Sequence, residues 1–287
     1  MTDFSKVAVL GYGTMGAGIA QLVAQAGVDV VVLEADQDRL DAGHRFVGAF
    51  LDKGVAMGRT TEDQKDAVLQ RLSGTTDVAG LAGCDLVIEA ITEQRDAKRD
   101  LFAAVAPVVG PEAVIATNTS ALSVTDLATS VTERGRFAGL HFFNPAPLMK
   151  VIEVVRAEET EPAVVDRLAD FVRRLGKDPV VVKDRPGFLV NHLLMPYLND
   201  VMQAYDDELA SAEDLDQALK LGLGYRLGPL ELLDMIGLDV HRHATTSAYE
   251  ATLDPVYAVP PVLHQMVAAG KLGNKSGEGF RIGREDS

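Results

Sequence analysis

The hexapeptide Gly11-Tyr12-Gly13-Thr14-Met15-Gly16 directly follows an apolar run at 6–10 and opens a stretch of helical periodicity at 14–26, closed by Gly27. A strand, a glycine turn and a helix in that order leave little choice of fold. The first glycine permits the sharp turn, the second lets a ligand's phosphates approach the backbone, and the third allows close helix–strand packing. The helix beginning there offers unpaired N–H groups and the positive end of its dipole to an anion. Gly-x-Gly-x-x-Gly by itself is common in turns that bind nothing. Here Glu34 completes the pattern. It ends the next strand-like run, 29–34, roughly 20 residues on, where a carboxylate accepts from adenosine ribose hydroxyls. A carboxylate also repels a 2′-phosphate, so the pattern predicts NAD rather than NADP. Asp36 is the alternative for the acidic role.

The surrounding elements carry the same prediction. Strand-like runs fall at 6–10, 29–34, 85–90, 113–117 and 136–141, with a further pair at 150–155 and 179–183 flanking a helical stretch that begins near Glu161. Helical patterns lie between them at 14–26, 37–57, 61–72 and 94–105. This alternation predicts an α/β fold, a Rossmann-type mostly parallel sheet with helices on both faces. Asp184-Arg185-Pro186-Gly187 then breaks the chain. Beyond it, apolar residues recur at helical spacing along 189–205, 215–221 and 230–241 with almost no strand signal. We therefore expect an NAD-binding domain over 1–184 and an all-α domain over 185–287 for substrate binding and dimerisation. About 100 residues is small for a self-sufficient core. A second copy covering the surplus apolar surface, in a homodimer, is the expectation.

Composition narrows the function classes. The 287 residues are 47% hydrophobic and 24% charged, within the range of globular proteins. A formal net charge of −15 disfavours nucleic acid as the partner. No run approaches the ~18 apolar residues of a membrane span, and neither a basic n-region nor a cleavage site precedes the first strand. With Cys84 as the single cysteine, no internal disulfide is possible, and a soluble, cytoplasmic chain is expected. Cys84 reads as a small buried hydrophobe beside Leu86-Val87-Ile88.

Hydride transfer from a hydroxyl needs a base for the departing proton. Of six histidines, His141 stands at the end of a strand-like run and opens His141-Phe142-Phe143-Asn144-Pro145. Sites in parallel sheets form at the carboxyl ends of strands. Glu153, in the next strand-like segment, could reach back to fix the tautomer of the imidazole and stabilise imidazolium. The local sequence leaves open a plain core histidine satisfied by backbone.

The chain resembles the 3-hydroxyacyl-CoA dehydrogenase family, specifically its short single-function 3-hydroxybutyryl-CoA members, over nearly its whole length. The resemblance is carried by GYGTMGAGIA at 11–20, LVIEA at 86–90, TNTS at 117–120, HFFNPAP at 141–147, PGFLVN at 186–191, GPLELLDMIGLD at 228–239 and KSGEGF at 275–280. It implies reversible NAD-dependent oxidation of a short-chain 3-hydroxyacyl-CoA to the 3-ketoacyl-CoA. His141 would be the base and Glu153 its orienting partner, with Ser120 and Asn191 holding the substrate oxygen at a cleft between the domains. Cofactor contacts would come from Gly11, Gly13, Thr14, Met15, Gly16, Glu34, Glu93, Lys98, Asn118, Ser120, Asn144 and Lys275. No metal is called for. Glu93 and Lys98 could instead be a solvated helix pair, and Lys275 an exposed tail charge.

Three positions depart from the family pattern. Ser120 is followed by Ala121 where a second serine is common, and Tyr225-Arg226-Leu227 replaces the usual segment before Gly228-Pro229. The stretch after the second strand, which in the family carries a lysine-rich tip for coenzyme A, reads Lys53-Gly54-Val55-Ala56-Met57-Gly58-Arg59. Lys53 and Arg59 remain as candidate partners for coenzyme A phosphates, or as solvated charges. So few basic residues admit an alternative, the same chemistry on a hydroxyacyl group tethered to acyl carrier protein, for example a glyceryl group in extender-unit synthesis. Oxidation of a free sugar acid or carnitine-like alcohol is a further reading. A non-catalytic, crystallin-like NAD-binding protein is the remote one, since it would not need Ser120, His141, Glu153 and Asn191 together.

Overall fold

A computed structural model describes residues 4–283. The chain divides into two compact units, Met1–Asp184 and Arg185–Ser287. The first runs β1 (Lys6–Leu10), α1 (Thr14–Gln25), β2 (Asp29–Leu33), α2 (Gln37–Ala56), α3 (Glu62–Gln70), β3 (Leu72–Thr75), β4 (Leu86–Glu89), α4 (Arg95–Val109), β5 (Val114–Thr117), α5 (Val124–Ala128), β6 (Phe137–Phe142), β7 (Val151–Arg156), α6 (Pro162–Arg174) and β8 (Asp178–Lys183). Its strands form one sheet in the order β3-β2-β1-β4-β5-β6-β7-β8. Every pairing is parallel except β6 with β7.

Side chains alternate between the faces of a strand, so a strand buried at every position is covered on both sides. β4, β5 and β6 are buried throughout, which is the doubly covered Rossmann-type sheet that the alternating pattern predicts. The edge strands are more open. β3 was not expected. Its residues, Leu72-Ser73-Gly74-Thr75, carry one large apolar side chain, and the helical pattern at 61–72 runs into it. Gly74 sits there because a Cβ would meet Leu40 Cδ2 at 2.9 Å.

The second unit contains α7 (Val190–Asp206), α8 (Ala212–Leu223), α9 (Pro229–Ile236), α10 (Leu238–Thr252) and α11 (Pro261–Ala268). Leu198, Met202, Leu230, Leu233, Leu238, Leu263 and Phe280 form its core. The periodicity at 230–241 predicts one helix, but Gly237 at φ 99° ends α9 and starts α10 in a new direction. The Gly-Pro-Leu-Glu segment is explained by Asp216 of α8, whose carboxylate accepts from Leu230 N at 2.8 Å and Glu231 N at 3.0 Å and so caps α9 from outside. A Cβ on Gly228 would fall 2.2 Å from Asp216 Cγ. The Lys-Ser-Gly-Glu-Gly-Phe segment is pinned to α9 in the same way, with Phe280 N and Arg281 N donating to Asp234.

Candidate active site

The carboxyl ends of β1, β2 and β4 surround a cleft of about 670 Å³ lined by Gly11, Gly13, Glu34, Arg39, Ala90 and Ile91, among others. It lies where the strand order reverses between β1 and β4, the position at which open α/β sheets bind ligands. Two glycines are dictated by contact. Gly11 has φ +93°, and a Cβ there would lie 2.9 Å from Ala90 O; a Cβ on Gly16 would lie 2.0 Å from Gly11 O. Gly13 differs, since a Cβ there meets nothing within 4 Å. That open space lies at the N-terminus of α1, which has neither a side-chain cap nor an acidic residue in its first turn. An uncapped helix end behind a bare glycine suits a pyrophosphate. Thr14 and Met15 supply the first turn.

Glu34 is half-buried at the end of β2. Its carboxylate accepts from Tyr12 N at 2.6 Å and Ala35 N at 3.0 Å. The acidic residue is thereby tied to the glycine turn. Asp36 is taken up elsewhere: it caps α2 by accepting from Arg39 N at 2.9 Å.

On the other side of the sheet's midline, β6 and β7 bring His141 and Glu153 directly opposite each other in antiparallel register. Directly opposed side chains lie on the same face with Cβ atoms ~5 Å apart. His141 Nδ1 and Glu153 Oε2 are 2.6 Å apart, with the histidine 5% and the glutamate 0% exposed. The Phe143 ring stands 4.7 Å from the imidazole, centroid to centroid. An ionised carboxylate only accepts, which places the proton on Nδ1. Asn118, at the end of β5, ties the neighbouring strands together: its N donates to Glu89 O, and its Oδ1 accepts from Phe142 N at 2.9 Å.

Ser120 is exposed just past β5, and Glu93 holds its loop. Glu93 Oε1 accepts from Thr119 Oγ1 at 2.5 Å, Ser120 N at 2.9 Å and Ala121 N at 3.2 Å. Burial alone would raise the Glu93 carboxyl, but the Lys98 ammonium and the Thr119 and Ser120 hydrogen bonds hold it below its ordinary value. Lys98 is not a solvated helix charge. It is 1% exposed, 2.5 Å from Glu89 Oε1 and 3.2 Å from Glu93 Oε2. Glu89 was not singled out from sequence, although a carboxylate closing the otherwise apolar Leu86-Val87-Ile88 strand was the signal for it.

Of the remaining sequence candidates, Asn144 is exposed after β6, and Asn191 is half-buried as the second residue of α7 in the second unit. Lys275, also in that unit, is ion-paired with Asp239 rather than standing as a lone tail charge. Lys53 and Arg59 are exposed.

Residues 6–185 match the family model described as 3-hydroxyacyl-CoA dehydrogenase, NAD binding domain, and residues 187–282 match that of the C-terminal domain. The chain belongs to the 3-hydroxyacyl-CoA dehydrogenase family. It is an NAD-dependent dehydrogenase of 3-hydroxyacyl-CoA, as the sequence motifs imply. A probable 3-hydroxybutyryl-CoA dehydrogenase from Deinococcus radiodurans is 42% identical over 96% of this chain and 99% of its own. The mitochondrial hydroxyacyl-coenzyme A dehydrogenase of Sus scrofa is 42% identical over 96% of this chain and 90% of its own. The crystal structure of (S)-3-hydroxybutyryl-CoA dehydrogenase from Ralstonia eutropha superposes with a TM-score of 0.94 at 37% identity, covering 99% of this chain and 100% of that one.

Two departures of this dehydrogenase from the family pattern are structurally mild. Ala121 takes part through its backbone N–H to Glu93, a bond that serine would make equally. Tyr225 and Arg226 are exposed and precede a helix start that Asp216 fixes through Leu230 N and Glu231 N, so the change leaves that cap in place. The third is electrostatic. Lys65, the next cation after Lys53 and Arg59, is paired with Asp52 at 2.5 Å and Glu62 at 3.5 Å, which keeps the positive field beyond α2 weak.

Proposed function

We propose that this dehydrogenase interconverts a short-chain 3-hydroxyacyl-CoA, 3-hydroxybutyryl-CoA foremost, and its 3-keto product, with His141 as the base. The observation that carries the reading is the buried 2.6 Å pairing of His141 with Glu153. With Nδ1 engaged by the carboxylate, Nε2 is the nitrogen that takes the hydroxyl proton. Glu153 then stabilises the imidazolium, and in a site shielded from water that attraction is several-fold stronger than in solvent. Bound NAD supplies the hydride acceptor. Ser120 and Asn191 are the donors assigned to the substrate oxygen, where charge develops during transfer. Gly11, Gly13, Thr14, Met15 and Gly16 are assigned to the pyrophosphate and Glu34 to the adenosine ribose. Glu93, Lys98, Asn118, Asn144 and Lys275 are assigned to the rest of the cofactor, directly or by holding those that touch it. The two domains, 1–184 and 185–287, correspond to cofactor binding and to substrate binding with dimerisation.

The choice of short chain rests on the similarity to the 3-hydroxybutyryl-CoA dehydrogenases of Deinococcus radiodurans and Ralstonia eutropha. A thioester on acyl carrier protein is the second reading, favoured by the neutralised Lys65 and the exposed Met57 near the tip of α2. One assay separates them: NADH oxidation with acetoacetyl-CoA beside acetoacetyl carrier protein. Rapid turnover at low CoA-ester concentration supports the first and makes Lys53 and Arg59 the phosphate partners to test. Turnover confined to the carrier protein overturns it.

A homodimer is part of the same proposal. Leu193, Leu221, Leu223, Met235 and Leu253 of the second unit are more than half exposed, and a second copy is the occupant assigned to them. Sedimentation as a monomer at micromolar concentration would contradict this. No helix among the described residues is long and apolar enough to cross a membrane. A cytoplasmic setting is proposed on the single, buried Cys84.

A further inference from the structure

Glu89 and Lys98 are the most deeply buried opposite charges near the cofactor cleft, at 0% and 1% exposure. An apolar pair of similar volume would ordinarily hold the fold as well or better, so the position of this pair is more informative than its existence. Every polar atom of the pair is directed at a segment of the site. Glu89 Oε1 accepts from Ile91 N at 2.7 Å and from Lys98 Nζ at 2.5 Å, and Oε2 accepts from Thr117 Oγ1 at 2.7 Å. Lys98 Nζ has three donors, and they reach Glu89, Glu93 Oε2 at 3.2 Å and Ile91 O at 3.5 Å. Both backbone polar groups of Ile91, a residue lining the nucleotide cleft, are therefore held by one ion pair. A Cβ on Gly11 would lie 2.9 Å from Ala90 O and 3.1 Å from Ile91 Cγ2, and Ala90 N donates to Leu10 O at 2.8 Å, so this backbone lies close against the glycine turn. Through Glu93 the same ammonium steadies the N–H groups of Ser120 and Ala121.

We propose that Glu89 is a positioning residue that couples the cofactor-facing backbone at Ala90-Ile91 to the Ser120 loop, acting through Lys98 and Glu93. The inference rests on the assignment of Ser120 to the substrate oxygen. Glu89 fixes where Lys98 places its charge; Lys98 fixes Glu93; Glu93 fixes the loop. Losing the Glu89 charge frees Lys98 to move toward Glu93, and losing the carboxylate altogether also leaves Ile91 N without its acceptor, which loosens both walls at once.

Two variants test this, Glu89→Gln and the apolar replacement Glu89→Met/Lys98→Met, each with thermal melting, NADH affinity by fluorescence titration, and kcat. The expected result is melting close to the parent for the double variant, with NADH affinity lowered at least three-fold and kcat at least ten-fold. Normal NADH affinity and kcat within two-fold in the folded double variant would overturn the proposal and leave the pair a packing element. The route is read by combining Glu89→Gln with Ser120→Ala. If Glu89 acts on chemistry through Ser120, its effect on kcat shrinks in the Ser120→Ala background, while its effect on NADH affinity persists. Additive effects on kcat overturn the relay. A Ser120→Ala protein with unchanged kcat is a separate failure, that of the Ser120 assignment itself, and is visible in the single variant before Glu89 is touched.

Discussion

His141 differs from the chain's other histidines in having a fully buried carboxylate 2.6 Å from one ring nitrogen. Removing the imidazole removes the proton acceptor but leaves the glycine turn, Glu34 and the uncapped end of α1 in place. His141→Ala is therefore expected to lower kcat by about 10²–10⁴-fold with NADH affinity little changed; stopped-flow and fluorescence titration read the two separately, and undiminished turnover in a folded variant removes His141 from the chemistry. Glu34 makes the complementary case. Its carboxylate is assigned to the ribose and already orders the turn through Tyr12 N. Glu34→Ala should lose about 1.5–3 kcal/mol of NAD binding, the value of hydrogen bonds to a charged group, and narrow the preference over NADP because the repulsion of the 2′-phosphate goes with it. Unchanged preference in paired titrations would pass the role to another residue. Glu34 is marked in the sequence by its spacing from the glycine turn; His141 is marked by its strand end, which leaves a plain core histidine open, and by the family resemblance. Their geometry is not marked there. His141 and Glu153 meet only because β7 runs back against β6, and nothing local to either residue gives the direction of a strand.

At the scale of elements, the contact between α2 and the glycine turn shows what periodicity leaves out. Gly43 lies inside α2, where alanine would ordinarily favour a helix by up to ~1 kcal/mol. Its Cβ would stand 2.2 Å from Tyr12 Cδ1 and 2.8 Å from Tyr12 Cβ, and Tyr12 is the residue between the first two glycines of the turn. The steric cost exceeds the helical gain, since overpacking a tight contact costs typically 1–3 kcal/mol. Gly43→Ala should therefore destabilise the protein, against helix propensity, and weaken NADH binding by pushing the turn; chemical denaturation and titration check both, and a stabilised variant would show that α2 can slide. The same logic separates the elements that the sequence revealed from those it hid. Val7–Leu10 of β1, Leu86–Ile88 of β4 and Val114–Ala116 of β5 are unbroken apolar runs because both faces are covered. β3 is an edge strand with a glycine opposite Leu40, so it had no such signature. The helix break at Gly237 was masked by apolar residues that continue in step on both sides.

For the molecule as a whole, pH acts through few groups and partly in opposing directions. The chain carries a formal charge of −15 at neutral pH, and protonating surface carboxylates relieves self-repulsion, which favours the compact state. The interior of the second unit works against this. His241 is 4% exposed, its Nε2 lies 2.9 Å from Asn199 Oδ1, and Asn199 Nδ2 donates in turn to Thr245 Oγ1 at 3.0 Å. Burial lowers the His241 pKa to about 4. Above about pH 6.5, the ordinary histidine value, the imidazole is neutral whether folded or unfolded, and there is no penalty. As pH falls below that, the unfolded chain takes up a proton that the folded one refuses, and stability declines until the folded pKa near 4 is passed. The full loss is on the order of 3 kcal/mol at one pKa unit per 1.36 kcal/mol. His241→Gln keeps an amide donor toward Asn199 and removes the titration, so the expected outcome is a lower melting temperature at pH 8 but a flatter profile between pH 6.5 and 4. Both proteins share the same surface carboxylates, so their contribution cancels in the difference between the two melting curves. Parallel curves across that window would mean that His241 takes its proton in the folded state as readily as in the unfolded one, and the polar core of the second unit would then have to open as pH falls.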